Sequence, residues 1–237
     1  AASHYRTFDH DPAQSPYAAI AQLPAGSMLR VSRGAVTQSA YWSLQELPDF
    51  TEPERQLAER YRALLLDAVA LRCQAAQRPV FTLSGGMDSS SVLALAVHAT
   101  DTTPAAISTV YDDATYDESR DIRGTVEALG VAWHQVRVGT PDVLSLVTRM
   151  IELHDEPVAT ATWLSHYLVC QTARGLGFES LFGGLGGDEL NAGEYEHFLF
   201  FFADLRAAGL EADLQRETAR WIAHHDHPMF RKRVDVM

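Results

Sequence analysis

Cysteine is scarce in this sequence. The 237 residues include two cysteines, Cys73 and Cys170, and neither belongs to a C-x-x-C pair. No disulfide framework and no zinc site can be read from such a pattern. Since a protein without disulfides suits a reducing compartment, we expect a cytoplasmic protein.

Long apolar runs are missing as well. The densest one, at residues 198–202, is far shorter than the roughly 18 apolar residues that a membrane-spanning helix requires. The first residues also lack the basic region and the apolar stretch that are typical of a signal peptide. We therefore expect no membrane partner.

Positive charge is in short supply. Lys and Arg together number 19 against 31 Asp and Glu, which gives a net charge of −12. A nucleic-acid surface needs a basic face to neutralise phosphates, so we expect no nucleic-acid partner. A small anionic ligand remains compatible with this charge, because a few backbone N–H groups can bind one locally. With 46% hydrophobic residues, the chain can bury a core.

What the chain does contain is a regular alternation of strand and helix patterns. Apolar runs predict strands at 79–83, 105–111, 131–138 and 178–182. Helical spacing predicts helices at 51–76, 89–99, 117–129, 141–154 and 161–175, and again from 189 onward. Such an alternation predicts an α/β fold with a mostly parallel sheet and helices on both faces.

The amino-terminal part has a different pattern. Residues 1–45 read as a short β-rich piece, with a hairpin formed by strands at 28–31 and 36–42. We expect the main domain to comprise residues 46–237.

The helix predicted at 51–76 allows two local predictions. Thr51 and Glu54 have the spacing of a capping box at its start. One face is expected to pack on the core, through Leu57, Tyr61, Leu64, Leu65, Ala68 and Leu71.

A glycine-serine loop lies between the strand at 79–83 and the helix at 89–99. It reads Ser84-Gly85-Gly86-Met87-Asp88-Ser89-Ser90. The glycines let backbone N–H groups approach an anion, and the start of the helix adds further unpaired N–H groups. The loop lacks the Gly-Lys-Ser/Thr ending of a Walker A motif. Asp88 beside phosphates makes chemical sense if it binds Mg²⁺, which prefers carboxylate and phosphate oxygens.

A second glycine-rich loop follows the strand at 178–182. It includes Gly183 and Gly184 and leads to Asp188, a second candidate Mg²⁺ ligand. Both loops lie at the carboxyl ends of predicted strands, where parallel sheets bind their ligands.

These motifs resemble the synthetase domain of class B asparagine synthetases, which are PP-loop ATP pyrophosphatases. The family's Leu-Ser-Gly-Gly-x-Asp-Ser-Ser is complete at residues 83–90. A family Asp-Glu segment has its counterpart at residues 116–119, and residues 154–157 resemble a further one. Residues 17–42 look like the end of the family's glutaminase domain.

The resemblance implies a reaction and its cofactors, ATP and Mg²⁺. A carboxylate attacks the α-phosphate of ATP, pyrophosphate leaves, and an acyl-adenylate forms. An amine or ammonia then attacks the adenylate and yields an amide and AMP. The partners implied are therefore a small-molecule or peptide carboxylate and an amine or ammonia.

The resemblance also implies roles for individual residues. The pyrophosphate would be held by Ser84, Gly85, Gly86, Asp88, Ser89 and Ser90. Asp88 and Asp188 would bind Mg²⁺, which stabilises charge on the leaving group. The adenosine part would be contacted through the backbone of Leu83, Thr109, Gly183 and Gly184.

The resemblance is incomplete at both ends. The family's glutaminase uses an amino-terminal cysteine, whereas this sequence begins with Ala1. The family's catalytic lysine has no match, because Lys232, the only lysine, lies in a different setting. We expect a fragment, a subunit completed by a second polypeptide, or a degraded, non-catalytic relative. A homo-oligomer is a separate expectation about partners.

The second loop departs from the family pattern at Leu185. Asparagine synthetases have glutamate there, important for forming aspartyl adenylate, and β-lactam synthetases have tyrosine. Leucine is neither acid nor base, so we expect a carboxylate other than aspartate. Intramolecular amide formation, as in lasso-peptide cyclases or β-lactam synthetases, is an alternative. Another kind of PP-loop enzyme, such as a tRNA-modifying or NAD-forming ligase, is a further alternative, and the acidic composition and the second loop count against a tRNA partner.

Glu156 is the remaining catalytic candidate. It precedes Pro157, and it is either a substrate-side carboxylate or a structural acid in a loop between helices. The sequence does not decide between these two roles.

Overall fold

The chain forms a layered α/β fold. The computed structural model describes residues 13–45, 50–100, 102–139, 142–158, 160, 162–193 and 195–224, and Lys232 lies outside them. A four-stranded parallel sheet lies between layers of helices, preceded by a short antiparallel hairpin. This architecture confirms the fold class predicted from the sequence.

The predicted strands and helices are present in the predicted order. They are β1 (Ser27–Ser32), β2 (Ala35–Ala40), α1 (Glu54–Ala75), β3 (Pro79–Thr82), α2 (Met87–Ala99), β4 (Ala105–Tyr111), α3 (Ser119–Leu129), β5 (Ala132–Val138), α4 (Val143–His154), α5 (Thr162–Gly175), β6 (Ser180–Phe182), α6 (Gly187–Asn191), α7 (Tyr195–Ala207) and α8 (Glu211–His224).

The four-stranded sheet has the order β5-β4-β3-β6. Phe81 of β3 lies opposite Ala106 of β4 on one side and Phe182 of β6 on the other. The chain moves outward from β3 through β4 to β5 and then returns to the far side of β3. The strand order therefore reverses between β3 and β6, which is where open α/β sheets bind ligands.

One face of the sheet is covered by α1, α2 and α3. Phe81 packs there in a buried cluster with Val69 of α1, Leu93 of α2 and Ile122 of α3. This cluster holds the helix that follows the first glycine loop against the centre of the sheet.

The opposite face is covered by α5. Val80 and Ile107 are fully buried there against Val169 and Ala173 of α5. Because adjacent strand residues point to opposite faces, Val80 and Phe81 anchor β3 in two different cores. Further along the chain, α7 and α8 form a separate small core.

The start of α1 differs from the prediction. The helix begins at Glu54 with Pro53 as its N-cap, and no side chain caps it. The predicted capping box of Thr51 and Glu54 is therefore wrong, because Glu54 occupies the first helical position rather than the third.

The buried face of α1 is also narrower than predicted. Tyr61, Leu64 and Leu71 are exposed, whereas Val69 is buried and contacts the core. Helical spacing shows which apolar residues share one face of α1, but only packing against α2 decides how much of that face is covered.

The hairpin of β1 and β2 is antiparallel, as predicted, with Val31 opposite Val36. Its residues are exposed, apart from the half-buried Ser27. In the preceding segment, the Tyr17 hydroxyl donates a hydrogen bond to the Asp155 carbonyl oxygen. No helix in the described part of the chain combines the length and the apolar character needed to cross a membrane.

Candidate functional site

Two glycine-rich loops meet where the strand order reverses. We call residues 84–90, which follow β3, the first loop, and residues 183–187, which follow β6, the second loop. Because β3 and β6 are parallel neighbours, their carboxyl ends bring both loops to the same edge of the sheet. The sequence analysis placed both loops at strand ends of one sheet, and the structure shows that those strands are adjacent.

The first loop is fixed internally by its own hydroxyl groups. The Ser84 N–H donates to Ser89 Oγ at 3.0 Å, and the two hydroxyl oxygens lie 2.8 Å apart. The Ser90 hydroxyl donates to the Gly86 carbonyl oxygen at 2.8 Å. Ser89 is buried, so its hydroxyl serves the shape of the loop rather than an exposed surface.

The first turn of α2 is open for an anion. Its N-cap is Gly86, and no side chain caps this helix. The first N–H groups of a helix have no intrahelical acceptor, and the helix dipole places partial positive charge there. Ser84, Gly85 and Gly86 are exposed next to this turn. The arrangement is suited to phosphate binding.

Gly85 has a partner that the sequence analysis did not predict. Its N–H donates to Glu118 Oε2 at 2.8 Å, across 33 residues of sequence. Glu118 belongs to residues 116–119, the counterpart of the family's Asp-Glu segment. The sequence separation between that segment and the first loop does not predict this hydrogen bond.

The second loop packs directly on the first. A Cβ at Gly184 would lie 2.5 Å from the Ser89 nitrogen and 2.8 Å from the Asp88 carbonyl carbon. A Cβ at Gly187 would overlap the Asp88 carboxylate. Only glycine permits such close approach, so Gly184 and Gly187 are explained by contact with the first loop.

Gly183 and Thr82 extend this contact to the strands. The Thr82 hydroxyl donates to the Phe182 carbonyl oxygen at 3.0 Å, and a Cβ at Gly183 would overlap that hydroxyl. The start of the second loop is thereby fixed against the end of β3.

Carboxylates gather where the loops meet. The pKa of Asp88 is raised, first by burial and then by the nearby negative charges of Asp188 and Glu189. Within the part of the chain that the structure describes, no three His, Cys, Asp or Glu side chains are grouped to hold a metal ion. Any cation bound here would need oxygens from a ligand or from water in addition to these carboxylates.

Leu83 and Thr109 lie beside the first loop. Leu83 is buried, its N–H donates to the Ile107 carbonyl oxygen at 3.1 Å, and its own carbonyl accepts from the Ser108 hydroxyl at 2.5 Å. Thr109 lies two residues beyond Ile107, towards the carboxyl end of β4. Both residues therefore border the edge of the sheet that carries the loops.

Glu156 is not brought into the loop contacts. It is exposed in the segment between α4 and α5, directly after Asp155. Among the described residues, no hydrogen bond or ion pair joins its carboxylate to either loop. Leu185, at the tip of the second loop, is 93% exposed and contributes nothing to the core.

Asp117 organises the turn that leads into α3. Its Oδ1 accepts hydrogen bonds from the Tyr111 N–H at 3.0 Å and the Ser119 hydroxyl at 2.7 Å. These bonds lower the pKa of Asp117, with the Tyr111 N–H as the largest cause. The ionised carboxylate thus fixes the connection between β4 and α3.

We expect Asp117→Asn to reduce stability in a pH-dependent way. A lowered pKa means that the ionised form stabilises the fold above the unfolded pKa of about 3.9, and that this stabilisation is lost as pH falls through the folded value. The variant should have a lower unfolding midpoint in urea than the wild type at pH 7, and the difference should shrink towards pH 3. Asp204→Asn, at an exposed position of α7, is the control. A difference independent of pH would contradict the assignment.

The site geometry agrees with a match to known proteins. The protein-family model for asparagine synthase matches residues 60–234. The chain belongs to the asparagine synthase family. This confirms the resemblance read from the two loops, whereas the relation of residues 17–42 to a glutaminase domain stays a prediction.

Curated relatives of this asparagine synthase-family chain are much longer. A protein of Methanocaldococcus jannaschii named as a glutamine-hydrolysing asparagine synthetase is 29% identical over 159 residues, which cover 66% of this chain and 30% of that protein. Amidase chry2 of Gibberella zeae is 26% identical over 178 residues, which cover 68% of this chain and 26% of the relative. The chain therefore spans less than a third of the length of either relative.

Among solved structures, this family member is similar to the NH3-dependent NAD synthetase of Campylobacter jejuni. The TM-score is 0.39 at 17% identity, with 56% of this chain and 58% of that chain covered. The family assignment rests on the sequence match.

Proposed function

We propose that this asparagine synthase-family chain binds Mg²⁺·ATP at the two loops and serves the activation of a carboxylate for amide formation. The observation that carries the proposal is the packing of Gly184 against the first turn of α2. This contact leaves an uncapped helix start beside clustered carboxylates at the reversal of strand order. Phosphate-binding N–H groups and metal-binding oxygens are thereby combined in one place.

In the proposed complex, the first loop holds the β- and γ-phosphates of ATP. The first-turn N–H groups of α2 and the hydroxyls of Ser84 and Ser90 are the donors. The backbone of Leu83, Thr109, Gly183 and Gly184 borders the adenosine part. A carboxylate oxygen attacks the α-phosphorus, the bond from phosphorus to the pyrophosphate oxygen breaks, and an acyl-adenylate results. An amine or ammonia then displaces AMP.

The carboxylates present fit a Mg²⁺ ion. Asp88 and Asp188 supply hard oxygen ligands. The pKa of Asp88 is raised by burial and then by the charges of Asp188 and Glu189, and a bound cation would offset both effects by favouring the ionised form. Fewer than three protein ligands is usual for Mg²⁺, which completes its octahedron with phosphate oxygens and water. When bound, the ion would neutralise charge that develops on the departing pyrophosphate.

Leu185 bears on the identity of the substrate carboxylate. Its side chain is exposed at the tip of the second loop, so the leucine has no packing role within the described chain. An apolar side chain at this position supports a carboxylate other than aspartate, including one within a larger molecule that cyclises. Glu156 stays a candidate for a substrate-side group, and nothing in the described structure connects it to the loops.

Two experiments test this function. Isothermal titration calorimetry of the purified chain with Mg²⁺·ATP should show binding; its absence would rule out nucleotide binding by this chain alone. ATP–pyrophosphate exchange over a panel of carboxylates should then identify the acid, and aspartate is expected to give none. Exchange that appears only after the polypeptide encoded downstream is added would favour a split enzyme over a self-sufficient one.

A further inference from the structure

The hydrogen bond between Gly85 and Glu118 is not accounted for by the proposed function. It joins the phosphate-binding loop to the start of α3, with the N–H of Gly85 as donor and Oε2 of Glu118 as acceptor at 2.8 Å. A carboxylate is an unexpected neighbour for a loop that binds anions, because its charge repels phosphate. Its position therefore needs a reason other than charge.

The contact between the two segments is close. A Cβ at Gly85 would lie 3.4 Å from the Asp121 Cβ and 3.5 Å from both the Cβ and the Cδ of Glu118. The beginning of α3 thus lies directly against the first glycine of the loop, and the hydrogen bond is one part of a packed contact.

Glu118 is itself held in place. Its carbonyl oxygen accepts from the N–H groups of Asp121 at 3.0 Å and Ile122 at 3.1 Å, which begins α3. Its side chain does not cap that helix, so the carboxylate is directed to the loop instead. The preceding residue, Asp117, is fixed by two hydrogen bonds of its own.

The first loop is consequently supported on two sides. Gly184 contacts it at Asp88 and Ser89, and Glu118 contacts it at Gly85. The hydroxyl pair of Ser84 and Ser89 joins its two ends. A loop that already has its bound shape loses less conformational entropy when a ligand arrives.

Resting on the proposed function, we propose that Glu118 is a positioning residue for the ATP phosphates. Its side-chain oxygen holds the Gly85 N–H so that the loop is formed before the nucleotide binds. The benefit comes from hydrogen-bond acceptance, whereas the negative charge opposes phosphate binding. An uncharged side chain with the same acceptor should therefore preserve the function, and a shorter acid should not.

Four variants of the chain separate these contributions. Glu118→Gln keeps an acceptor of the same length, Glu118→Asp keeps the charge but is shorter by one methylene, and Glu118→Ala removes both. Glu127→Ala, at an exposed position of the same helix, is the matched control. The affinity for Mg²⁺·ATP is measured by calorimetry, and hydrogen exchange of the Gly85 amide is measured by NMR without ligand.

We expect Glu118→Gln to bind Mg²⁺·ATP at least as tightly as the wild type, within measurement error. Glu118→Asp and Glu118→Ala should bind about tenfold more weakly than Glu118→Gln, as expected for loss of one hydrogen bond to a positioned group. The hydrogen-exchange rate of the Gly85 amide should be higher in these two variants than in the wild type. It should be unchanged in Glu118→Gln and Glu127→Ala. If Glu118 only stabilised the fold, the affinity for Mg²⁺·ATP would not be preserved by glutamine and lost with aspartate.

Equal or tighter binding by Glu118→Ala than by Glu118→Gln would overturn the proposal, since Glu118 would then merely compete with phosphate. Failure of the wild-type chain to bind Mg²⁺·ATP would instead overturn the proposed function, and the positioning role with it. If the hydrogen-exchange rate of the Gly85 amide is unchanged in all three Glu118 variants, the contact itself is refuted, even if ATP binds. These failures are distinguishable because the exchange measurement needs no ligand.

Discussion

Gly184→Ala is expected to disable the candidate site. The added Cβ would lie 2.5 Å from the Ser89 nitrogen and 2.8 Å from the Asp88 carbonyl carbon, and both are backbone atoms that cannot rotate away. The second loop must therefore move off the first turn of α2, which displaces Asp188 from Asp88. A misplacement of about 1 Å at a reacting centre can lower a rate on the order of 100-fold, and we expect a loss of that size in ATP–pyrophosphate exchange.

The same variant should also be less stable. Overpacking a close contact typically costs about 1–3 kcal/mol, measurable as a lower urea midpoint. Gly175→Ala is the matched control, because a Cβ at Gly175, the last residue of α5, would meet nothing within 4 Å. Unchanged binding and exchange in Gly184→Ala would show that the loops need not stay in contact.

Asp88→Asn is expected to abolish tight binding of Mg²⁺·ATP while sparing the fold. Loss of a metal-binding carboxylate should weaken binding by about 100-fold or more, since changes even to groups that only support a metal ligand cost about 10–100-fold. Calorimetry with Mg²⁺·ATP measures the loss. Asp67→Asn, at an exposed position of α1, is the control.

The stability of Asp88→Asn should change in the opposite direction to its binding. The pKa of Asp88 is raised, so folding favours the protonated carboxyl; this contribution is present below the unfolded pKa of about 3.9 and is lost as pH rises. At pH 7 the ionised group is disfavoured first by burial and then by repulsion from Asp188 and Glu189, and asparagine removes the charge. Without divalent cations, thermal melting at pH 7 should give a Tm equal to or above that of the wild type. A lower Tm would mean that Asp88 has a structural role that this geometry does not explain.

Local elements of the fold were predictable from the sequence because their signals are local. The bounds of β4 agree with the prediction, and α3 ends as expected at Gly130, which adopts a left-handed φ of 65°. Apolar runs, helical spacing and glycine at a helix end act through neighbouring residues. The start of α1 was predicted wrongly because local signals did not distinguish two possible starts that lie only a few residues apart: Thr51 was predicted as the cap, and Pro53 is the N-cap in the structure.

The position of the two loops was predictable from the sequence, whereas the roles of their residues stay predictions. Ser84, Asp88 and the glycines of both loops were identified from the sequence, and the structure places the two loops side by side. The partner of Gly85 was missed, because no sequence signal relates it to Glu118. The resemblance of residues 116–119 to a family segment does not predict that hydrogen bond either, because only the three-dimensional structure brings Glu118 next to Gly85.

The sequence by itself determined the order of the strands and helices, the two glycine loops and the family chemistry they suggest. Tertiary structure decided that β6 lies next to β3, which face of α1 is buried, and which backbone groups of the first loop are already paired. The reason is physical: propensity and periodicity act within a few residues, whereas strand order depends on packing between distant segments. Gly184 contacts Ser89 only because the core holds β3 and β6 together, and the close contact of the two loops follows from that adjacency.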